Sequence, residues 1–251
     1  MRFPPFSVGP LEFGSRYIST YSVMFTLAII TVVFLAYREA QKKDRKEVLI
    51  LSAYCFISGM LLSRLFYVLF FKDLGWFEGL IYLIDPTRSG LTSYGAFAGA
   101  IFGALIFYTR RRPKARRMWR ILDCFSPGVV LGIAVGRLGC HFAGCCYGLP
   151  TDASWGIYYK DALRHPTQAY DMLNGLVVFL LNRGFRRTIT KKLFPGALLL
   201  LTLATYSLLR IAVESYRVGP RIGALTYNQL GYLLLMFGCL AVFYYRFRRS
   251  R

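Results

Sequence analysis

The chain has 251 residues, of which 55% are hydrophobic and 17% aromatic, and its formal net charge at pH 7 is +20. A mean hydropathy of +0.42 excludes an ordinary water-soluble globule and indicates a polytopic membrane protein. The positive charge does not indicate a nucleic-acid partner, because the basic residues form short clusters between apolar runs, as in cytoplasmic loops that face anionic lipid. No nucleic-acid-binding motif accompanies these clusters.

Seven apolar runs of bilayer length predict an all-α polytopic membrane protein that forms a single transmembrane domain over residues 1–251. Each run has about 17–23 residues, which is enough to cross a hydrocarbon core of ~30 Å. In chain order the runs lie near 17–37, 48–70, 91–109, 121–138, 167–183, 195–215 and 225–245. The segment 71–90 is amphipathic, and we expect it to lie in the outer interface rather than to cross the membrane.

The basic residues are distributed unevenly between the two ends of these runs. Of the 32 arginines and lysines, 21 follow the first, third, fifth and seventh runs, 8 lie on the opposite side, and three lie inside runs. The positive-inside rule therefore predicts an N-terminus outside and a C-terminus in the cytoplasm. This orientation makes the loops at about 71–90 and 138–166 extracytoplasmic.

The segment from Gly136 to Asp171 gathers most of the reactive side chains of the chain. It contains both histidines, three of the six cysteines and an intramembrane arginine, namely His141, His165, Cys140, Cys145, Cys146 and Arg137. Because these groups are scarce elsewhere and collect at one membrane face, the sequence predicts a functional site there.

Arg64, Arg137 and Arg210 lie within the apolar runs. Each costs several kcal/mol at mid-bilayer unless it is paired or hydrated. Arg210 and Glu214 are spaced i, i+4 and can meet on one helix face. One interpretation is structural pairing that holds helices together. The other is a clamp for a phospholipid phosphate, because guanidinium is a planar, bidentate donor.

The clustered cysteines leave several roles open. Adjacent Cys145 and Cys146 cannot readily share one ion and no second Cys/His pair follows, so we expect no metal. A disulfide from Cys140 to either of them suits an oxidising face. A nucleophilic thiol with His141 or His165 as its base is a third interpretation, and a buried structural role is a fourth.

Two motifs in this segment resemble signatures of the prolipoprotein diacylglyceryl transferases. One is Gly136-Arg137-Leu138-Gly139 with Gly148, and the other runs from Arg164 to Asp171 as RHPTQAYD. Further pieces follow the order of that family along nearly the whole chain, namely Tyr21-Ser22-Val23-Met24, Ser63-Arg64, Ser89 to Gly95, Tyr206 to Arg217, and Thr226-x-x-Gln229.

The resemblance implies a cofactor-free transfer of diacylglyceryl from phosphatidylglycerol to the lipobox cysteine thiol of a prolipoprotein, with release of glycerol phosphate. It implies a multi-pass protein of the bacterial cytoplasmic (inner) membrane, surrounded by membrane lipids. Arg137 and Arg210 match the phosphate clamp, and Tyr94 or His141 takes the place of the base. The implied substrate-binding positions are Tyr21, Arg64, Gly95, Gly136, Gly139, Cys140, Cys145, Gly148, Arg164, His165, Gln168, Glu214 and Gln229.

The chain departs from the family pattern at the positions that carry the chemistry. Tyr94 stands where the family has a histidine, Ala96 replaces a glycine, and Cys140 and Cys145 replace an asparagine and an acidic residue. A tyrosine is a weak base unless a cation stabilises its phenolate, so we expect either an arginine near Tyr94 or His141 as the base. A related transferase with another acceptor, or a non-catalytic lipid or signal-peptide binding protein, remains an alternative.

Overall fold

The computed structural model describes residues 11–13, 16–18, 20–71, 79, 81, 92–159, 162–219 and 221–250. These residues contain seven long α-helices: α1 Thr20–Glu39, α2 Arg45–Phe71, α3 Ser93–Arg111, α4 Ala115–Phe142, α5 Thr167–Lys192, α6 Ala197–Glu214 and α7 Tyr227–Ser250. The helices match the seven predicted runs one to one. Five of them, α1, α2, α4, α6 and α7, are long and apolar enough to cross a membrane. The predicted all-α polytopic fold is confirmed.

Short antiparallel hairpins and a 3-10 turn accompany the helices. The 3-10 turn, Lys42–Asp44, precedes α2. The hairpins pair β1 Leu11–Phe13 with β2 Arg16–Ile18, β3 Ile157–Tyr159 with β4 Ala162–Arg164, and β5 Arg221–Ile222 with β6 Leu225–Thr226. In these pairs Leu11 faces Ile18, Ile157 faces Arg164, and Arg221 faces Thr226.

The chain folds as two compact units, one formed by residues 1–39 with 122–251 and the other by residues 40–121. The expectation of one domain over 1–251 stays a prediction, and so does the orientation in the membrane. The predicted interfacial segment 71–90 lies outside the described residues, apart from positions 71, 79 and 81.

The unit of residues 40–121 is built on direct backbone contact between α2 and α3. Gly95, Gly99 and Gly103 recur every fourth residue of α3 and face α2. A Cβ atom at Gly95 would lie 2.5 Å from the carbonyl oxygen of Leu62, and one at Gly99 would overlap the carbonyl of Ser58. Small residues at this spacing let two membrane helices approach closely, so the glycines determine the packing distance of the pair.

The other unit packs α4 against both α1 and α5 through glycines. A Cβ at Gly128 would lie 2.7 Å from the carbonyl oxygen of Val32 in α1, and one at Gly175 the same distance from that of Val130 in α4. Val130, Val178 and Tyr206 form a buried cluster between α4, α5 and α6. Close packing of these three helices fixes the positions of the polar side chains that they carry.

Buried hydrogen bonds also join α4 to the start of α6. The carboxylate of Asp123 in α4 accepts from the backbone N–H groups of Gly196 at 2.6 Å and Leu199 at 2.9 Å. These donors belong to the first turn of α6, which has no cap from its own side chains. A carboxylate from a neighbouring helix thus satisfies the orphan donors and complements the helix dipole.

Candidate active site

A buried ion-pair network connects α4, α5 and α6 in the unit that contains residues 122–251. The carboxylate of Asp171 lies 3.0 Å from Nε of Arg137 and 3.2 Å from Nε of Arg210. Nη2 of Arg210 lies 2.7 Å from Glu214 Oε2, which confirms the pairing expected from their i, i+4 spacing. Asp171 is not among the predicted site residues, although it is the last residue of the RHPTQAYD motif.

Further polar groups complete the network around Glu214. Its Oε2 lies 3.6 Å from Nη1 of Arg217, and its Oε1 accepts a hydrogen bond of 2.8 Å from Asn228. The guanidinium of Arg210 lies 5.4 Å from the centre of the Tyr232 ring. Arg210 and Glu214 are each 1% exposed, so this part of the network is removed from solvent.

The network carries a surplus positive charge. Three arginines, at 137, 210 and 217, face two carboxylates, at 171 and 214, and the cluster therefore has a formal charge of +1. The side chain of Arg137 is 19% exposed, so the network opens at that residue. Because an uncompensated charge is costly at low dielectric, the site favours one bound monoanion.

Several buried polar atoms beside the network lack a hydrogen-bond partner among the described residues. They include Nη1 of Arg210, both side-chain amide atoms of Asn174, and the hydroxyl of Ser207. Asn174 lies three residues after Asp171 in α5, and Ser207 three residues before Arg210 in α6. Buried polar groups are normally satisfied, so unpaired donors next to a cationic cluster indicate a place for water or a polar ligand.

The motif RHPTQAYD fixes the start of α5 to the loop that follows α4. The hydroxyl of Thr167 donates to the carbonyl of Cys146 at 2.7 Å, and the side-chain amide of Gln168 donates to the carbonyl of Cys145. Asp171 lies one turn further along α5. The motif therefore holds both the carboxylate that pairs with the arginines and the loop that carries the cysteines.

Cys140, Cys145 and Cys146 converge, with their sulfur atoms all within 4.8 Å of one another. Cys140 lies in the last turn of α4, and Nη1 of Arg137 is 3.9 Å from its sulfur. Cys146 has a φ of 60°, a conformation that is rare for residues other than glycine. This local turn brings two adjacent side chains to the same side, contrary to the expectation from their adjacency in the sequence. All six cysteines of the chain are free thiols in the structure.

The cysteine loop has unusual proton affinities. Hydrogen bonds from the thiols of Cys140 and Cys145 lower the pKa of Cys146 well below that of an ordinary thiol. Hydrogen bonding to Cys140 and Cys146 raises the pKa of Cys145. The two shifts have one cause, the convergence of thiols that hydrogen-bond to one another.

Arg164 and His165 pack against aromatic rings. The guanidinium of Arg164 lies 5.2 Å from the Tyr147 ring centre. Nδ1 of His165 is 3.1 Å from the hydroxyl of Tyr170, and its ring centre is 4.8 Å from that of Tyr216. Backbone hydrogen bonds at 3.0 Å connect His165 with Gly148 and Leu149 and so hold the loop of 143–166 in place.

Gln229 caps the start of α7. Its Oε1 accepts from the backbone N–H of Thr226 at 2.8 Å, and the Thr226 hydroxyl accepts from the N–H of Gln229 at 3.1 Å. This reciprocal pair is a capping box. The amide Nε2 of Gln229 lies 3.0 Å from the Ser215 hydroxyl. The hydrogen bonds of Gln229 thus connect the start of α7 with the end of α6.

Tyr94 and Arg64 lie in the unit of residues 40–121. Tyr94 is in the first turn of α3 and is 61% exposed. Thr92 caps this helix, since its hydroxyl accepts from the N–H of Gly95 at 3.3 Å. The Ser63 hydroxyl donates to the Thr92 carbonyl at 2.7 Å and thereby fixes the Tyr94 turn to α2. Arg64 follows Ser63 in α2 and is half-buried.

The remaining predicted site residues lie at or near the C-terminal end of α4. Tyr21, in the first turn of α1, is 40% exposed, and a Cβ at Gly139 would lie 3.5 Å from its ring and 2.9 Å from Met24. His141 is half-buried in the last turn of α4. At Gly136 a Cβ would meet nothing closer than 3.9 Å, whereas at Gly148 it would lie 2.6 Å from the Tyr216 carbonyl oxygen.

The model of the family described as "Prolipoprotein diacylglyceryl transferase" matches residues 10–245. The chain belongs to this family. Three relatives named phosphatidylglycerol–prolipoprotein diacylglyceryl transferase illustrate the similarity. The protein of Aliarcobacter butzleri is 30% identical over 88% of this chain and 82% of its own length. That of Dehalococcoides mccartyi is 29% identical over 98% and 96%, and that of Trichormus variabilis 32% over 84% and 79%.

Proposed function

We propose that the protein transfers a diacylglyceryl group from phosphatidylglycerol to the lipobox cysteine of a prolipoprotein and releases glycerol phosphate. The observation that carries the proposal is the buried network of Arg137, Asp171, Arg210 and Glu214, with its surplus positive charge, in a membrane protein of this family. The corresponding location is the cytoplasmic membrane of a bacterium, with the loop of 138–166 on the outer side.

The chemistry of this transfer explains why an arginine network is useful. A thiolate attacks a glycerol carbon of the lipid, the bond between that carbon and the phosphate oxygen breaks, and negative charge grows on the leaving phosphate. Planar guanidinium groups bind phosphate oxygens in pairs. Fixed donors aimed at a developing charge are each worth about 10²–10³ in rate in other enzymes. In the proposed mechanism, Arg137 receives the phosphate at the open end of the network and Arg210 supports the charge from within.

Asp171 and Glu214 hold the two arginines ready for this task. A guanidinium fixed by a carboxylate keeps its remaining N–H groups in a defined position, and the rotamer entropy has already been lost before the lipid binds. In this proposal the same ion pairs join the helices and position the arginines that bind phosphate. Separate measurements of stability and turnover distinguish these two roles.

The acceptor thiol must lose its proton, because only the thiolate is strongly nucleophilic. We propose the phenolate form of Tyr94 as the proton acceptor, since its side chain is exposed and its turn is fixed to α2 by Ser63 and Thr92. His141, in the last turn of α4, is the alternative base. Tyr21, exposed beside Gly139, is proposed to contact the lipid at the outer part of α4.

Reconstituted transfer tests the proposal directly. The purified protein is incorporated into vesicles of phosphatidylglycerol or phosphatidylethanolamine, together with a lipobox peptide, and the peptide is analysed by mass spectrometry. We expect a diacylglyceryl adduct with the first lipid, and none with a peptide in which serine replaces the lipobox cysteine. Complementation of a bacterium depleted of its own diacylglyceryl transferase is the cellular counterpart. Absence of the adduct, with a folded protein that still binds the lipid, would identify a binding protein instead.

A further inference from the structure

The three cysteines beside Arg137 form a site that neither the ion-pair network nor the family resemblance explains. Their sulfur atoms lie within 4.8 Å of one another. Three sulfurs bound to one zinc ion at about 2.3 Å lie about 3.8 Å apart in tetrahedral geometry. Shifts of about an ångström, within the range of side-chain rotation, would bring the three atoms to that spacing.

The backbone of the loop holds the three cysteines together before any ion arrives. The N–H of Cys145 donates to the carbonyl of Cys140 at 3.0 Å, which closes the loop after α4. Thr167 and Gln168, at the start of α5, bind the carbonyls of Cys146 and Cys145. Cys146 keeps a φ of 60°, a left-handed conformation that is strained for a residue other than glycine. A site whose backbone is fixed on both sides has little ordering entropy left to lose on binding.

The surrounding charge suits an ion held by three thiolates. Such a complex with a divalent cation has a net charge of −1. Nη1 of Arg137 lies 3.9 Å from the Cys140 sulfur, so its guanidinium lies beside that negative charge and attracts it. Soft thiolate ligands select zinc and similar thiophilic cations over magnesium or calcium.

We propose that Cys140, Cys145 and Cys146 bind one thiophilic divalent cation, zinc in the cell, and leave its fourth coordination position open. Three protein ligands with one open position are typical of catalytic rather than structural zinc sites. Two of these cysteines replace residues of the family signature, an asparagine and an acidic residue, and none of them is needed to complete the ion-pair network.

We assign the open coordination position to the acceptor thiol, an assignment that rests on the proposed function. The acceptor thiol binds the ion through sulfur, and its proton passes to the base of the proposed function as the sulfur–zinc bond forms. Thiols bound to zinc are deprotonated outright. The bound thiolate then attacks the lipid carbon, the sulfur–zinc bond breaks as the thioether forms, and the phosphate leaves beside Arg137. Because binding to zinc acidifies the thiol, a base weaker than usual is sufficient, in keeping with Tyr94 at the position where the family has a histidine.

Metal analysis of the purified protein tests the site without any turnover. The protein is prepared under reducing conditions, stripped with a chelator and titrated with Zn²⁺ or Co²⁺. We expect one ion per chain, and for Co²⁺ the intense thiolate charge-transfer absorption of a tetrahedral site. Cys140→Ala, Cys145→Ala and Cys146→Ala should each weaken Co²⁺ binding at least tenfold. Cys55→Ala, a cysteine in the other compact unit, should bind it normally.

A further variant and a peptide titration distinguish loss of a ligand from misfolding. Cys146→Gly removes the thiol but tolerates the positive φ, so loss of Co²⁺ binding in this folded variant reports the ligand itself. A lipobox peptide should shift the Co²⁺ absorption, whereas its serine analogue should not. Failure of the wild type to bind Zn²⁺ or Co²⁺, retention of the ion by the triple alanine variant, or a disulfide among the three cysteines in the reduced preparation would overturn the site. If the peptide forms no diacylglyceryl adduct but the ion still binds, the proposed function fails and the metal site stands.

Discussion

Replacing Asp171 with asparagine tests whether the two central arginines act through geometry or through charge alone. The substitution preserves shape but removes the carboxylate that lies 3.0 Å from Arg137 and 3.2 Å from Arg210. Removing one partner of a buried ion pair typically costs about 3–5 kcal/mol, because the other charge stays buried. For a chain of this size that corresponds to a fall in melting temperature of about 6–20 °C.

The effect on catalysis separates two models of the clamp. Asp171→Asn raises the formal charge of the network from +1 to +2, so simple attraction would tighten lipid binding. We expect instead that turnover falls about 10²-fold while the KM for phosphatidylglycerol does not rise, because the arginines lose the group that orients them. Initial rates of adduct formation in vesicles and thermal unfolding in nanodiscs measure the two effects.

A matched control distinguishes orientation from general destabilisation. Asp123→Asn also removes a buried carboxylate, but that carboxylate caps α6 through backbone N–H groups of Gly196 and Leu199. It should lower the melting temperature and leave the turnover of the folded fraction nearly unchanged. Wild-type turnover and melting in Asp171→Asn would refute the role given to the network.

Other predictions concern single positions. Arg137→Lys should preserve charge but lose the planar fork, so turnover should fall about 10²-fold while the protein still folds; normal transfer would remove Arg137 from the clamp. Tyr94→Phe removes only an exposed hydroxyl and should abolish transfer with little change in stability; full activity would show that its turn serves packing alone. Gly99→Ala should destabilise the α2–α3 pair by about 1–3 kcal/mol in unfolding experiments, because the new Cβ overlaps backbone atoms. Gly184→Ala, in α5 with open space around it, should be neutral or stabilising by up to about 1 kcal/mol, and a loss as large as at Gly99 would contradict the packing argument. A cysteine placed near Lys114 should react with a membrane-impermeant reagent only in inverted vesicles; labelling from outside intact cells would refute the predicted orientation.

The helices could be predicted because each apolar run is long enough to form a membrane-spanning helix. Their ends were less predictable, since α4 continues to Phe142 and α5 to Lys192, beyond the apolar runs that end near 138 and 183. The part of α5 beyond its apolar run is rich in basic residues. Hydropathy does not detect a helix that extends into polar surroundings.

Contacts within one turn were visible in the sequence, and contacts between helices were not. The i, i+4 spacing of Arg210 and Glu214 predicted their ion pair, which needs no knowledge of other helices. Asp171 meets its two arginines only because α4, α5 and α6 pack together. The convergence of the three cysteines depends on a backbone angle at Cys146 for which cysteine has no intrinsic preference.

The surplus charge of the arginine network has a consequence for the order of events in the membrane. An empty site that buries an uncompensated cation is the least stable form of the protein, so an anionic lipid that fills it stabilises the fold by mass action. In the proposed mechanism, the resting protein in a bilayer where such lipid is abundant is therefore the lipid-loaded one, and the acceptor binds second. Detergents that strip bound lipid would remove this stabilising ligand together with the substrate.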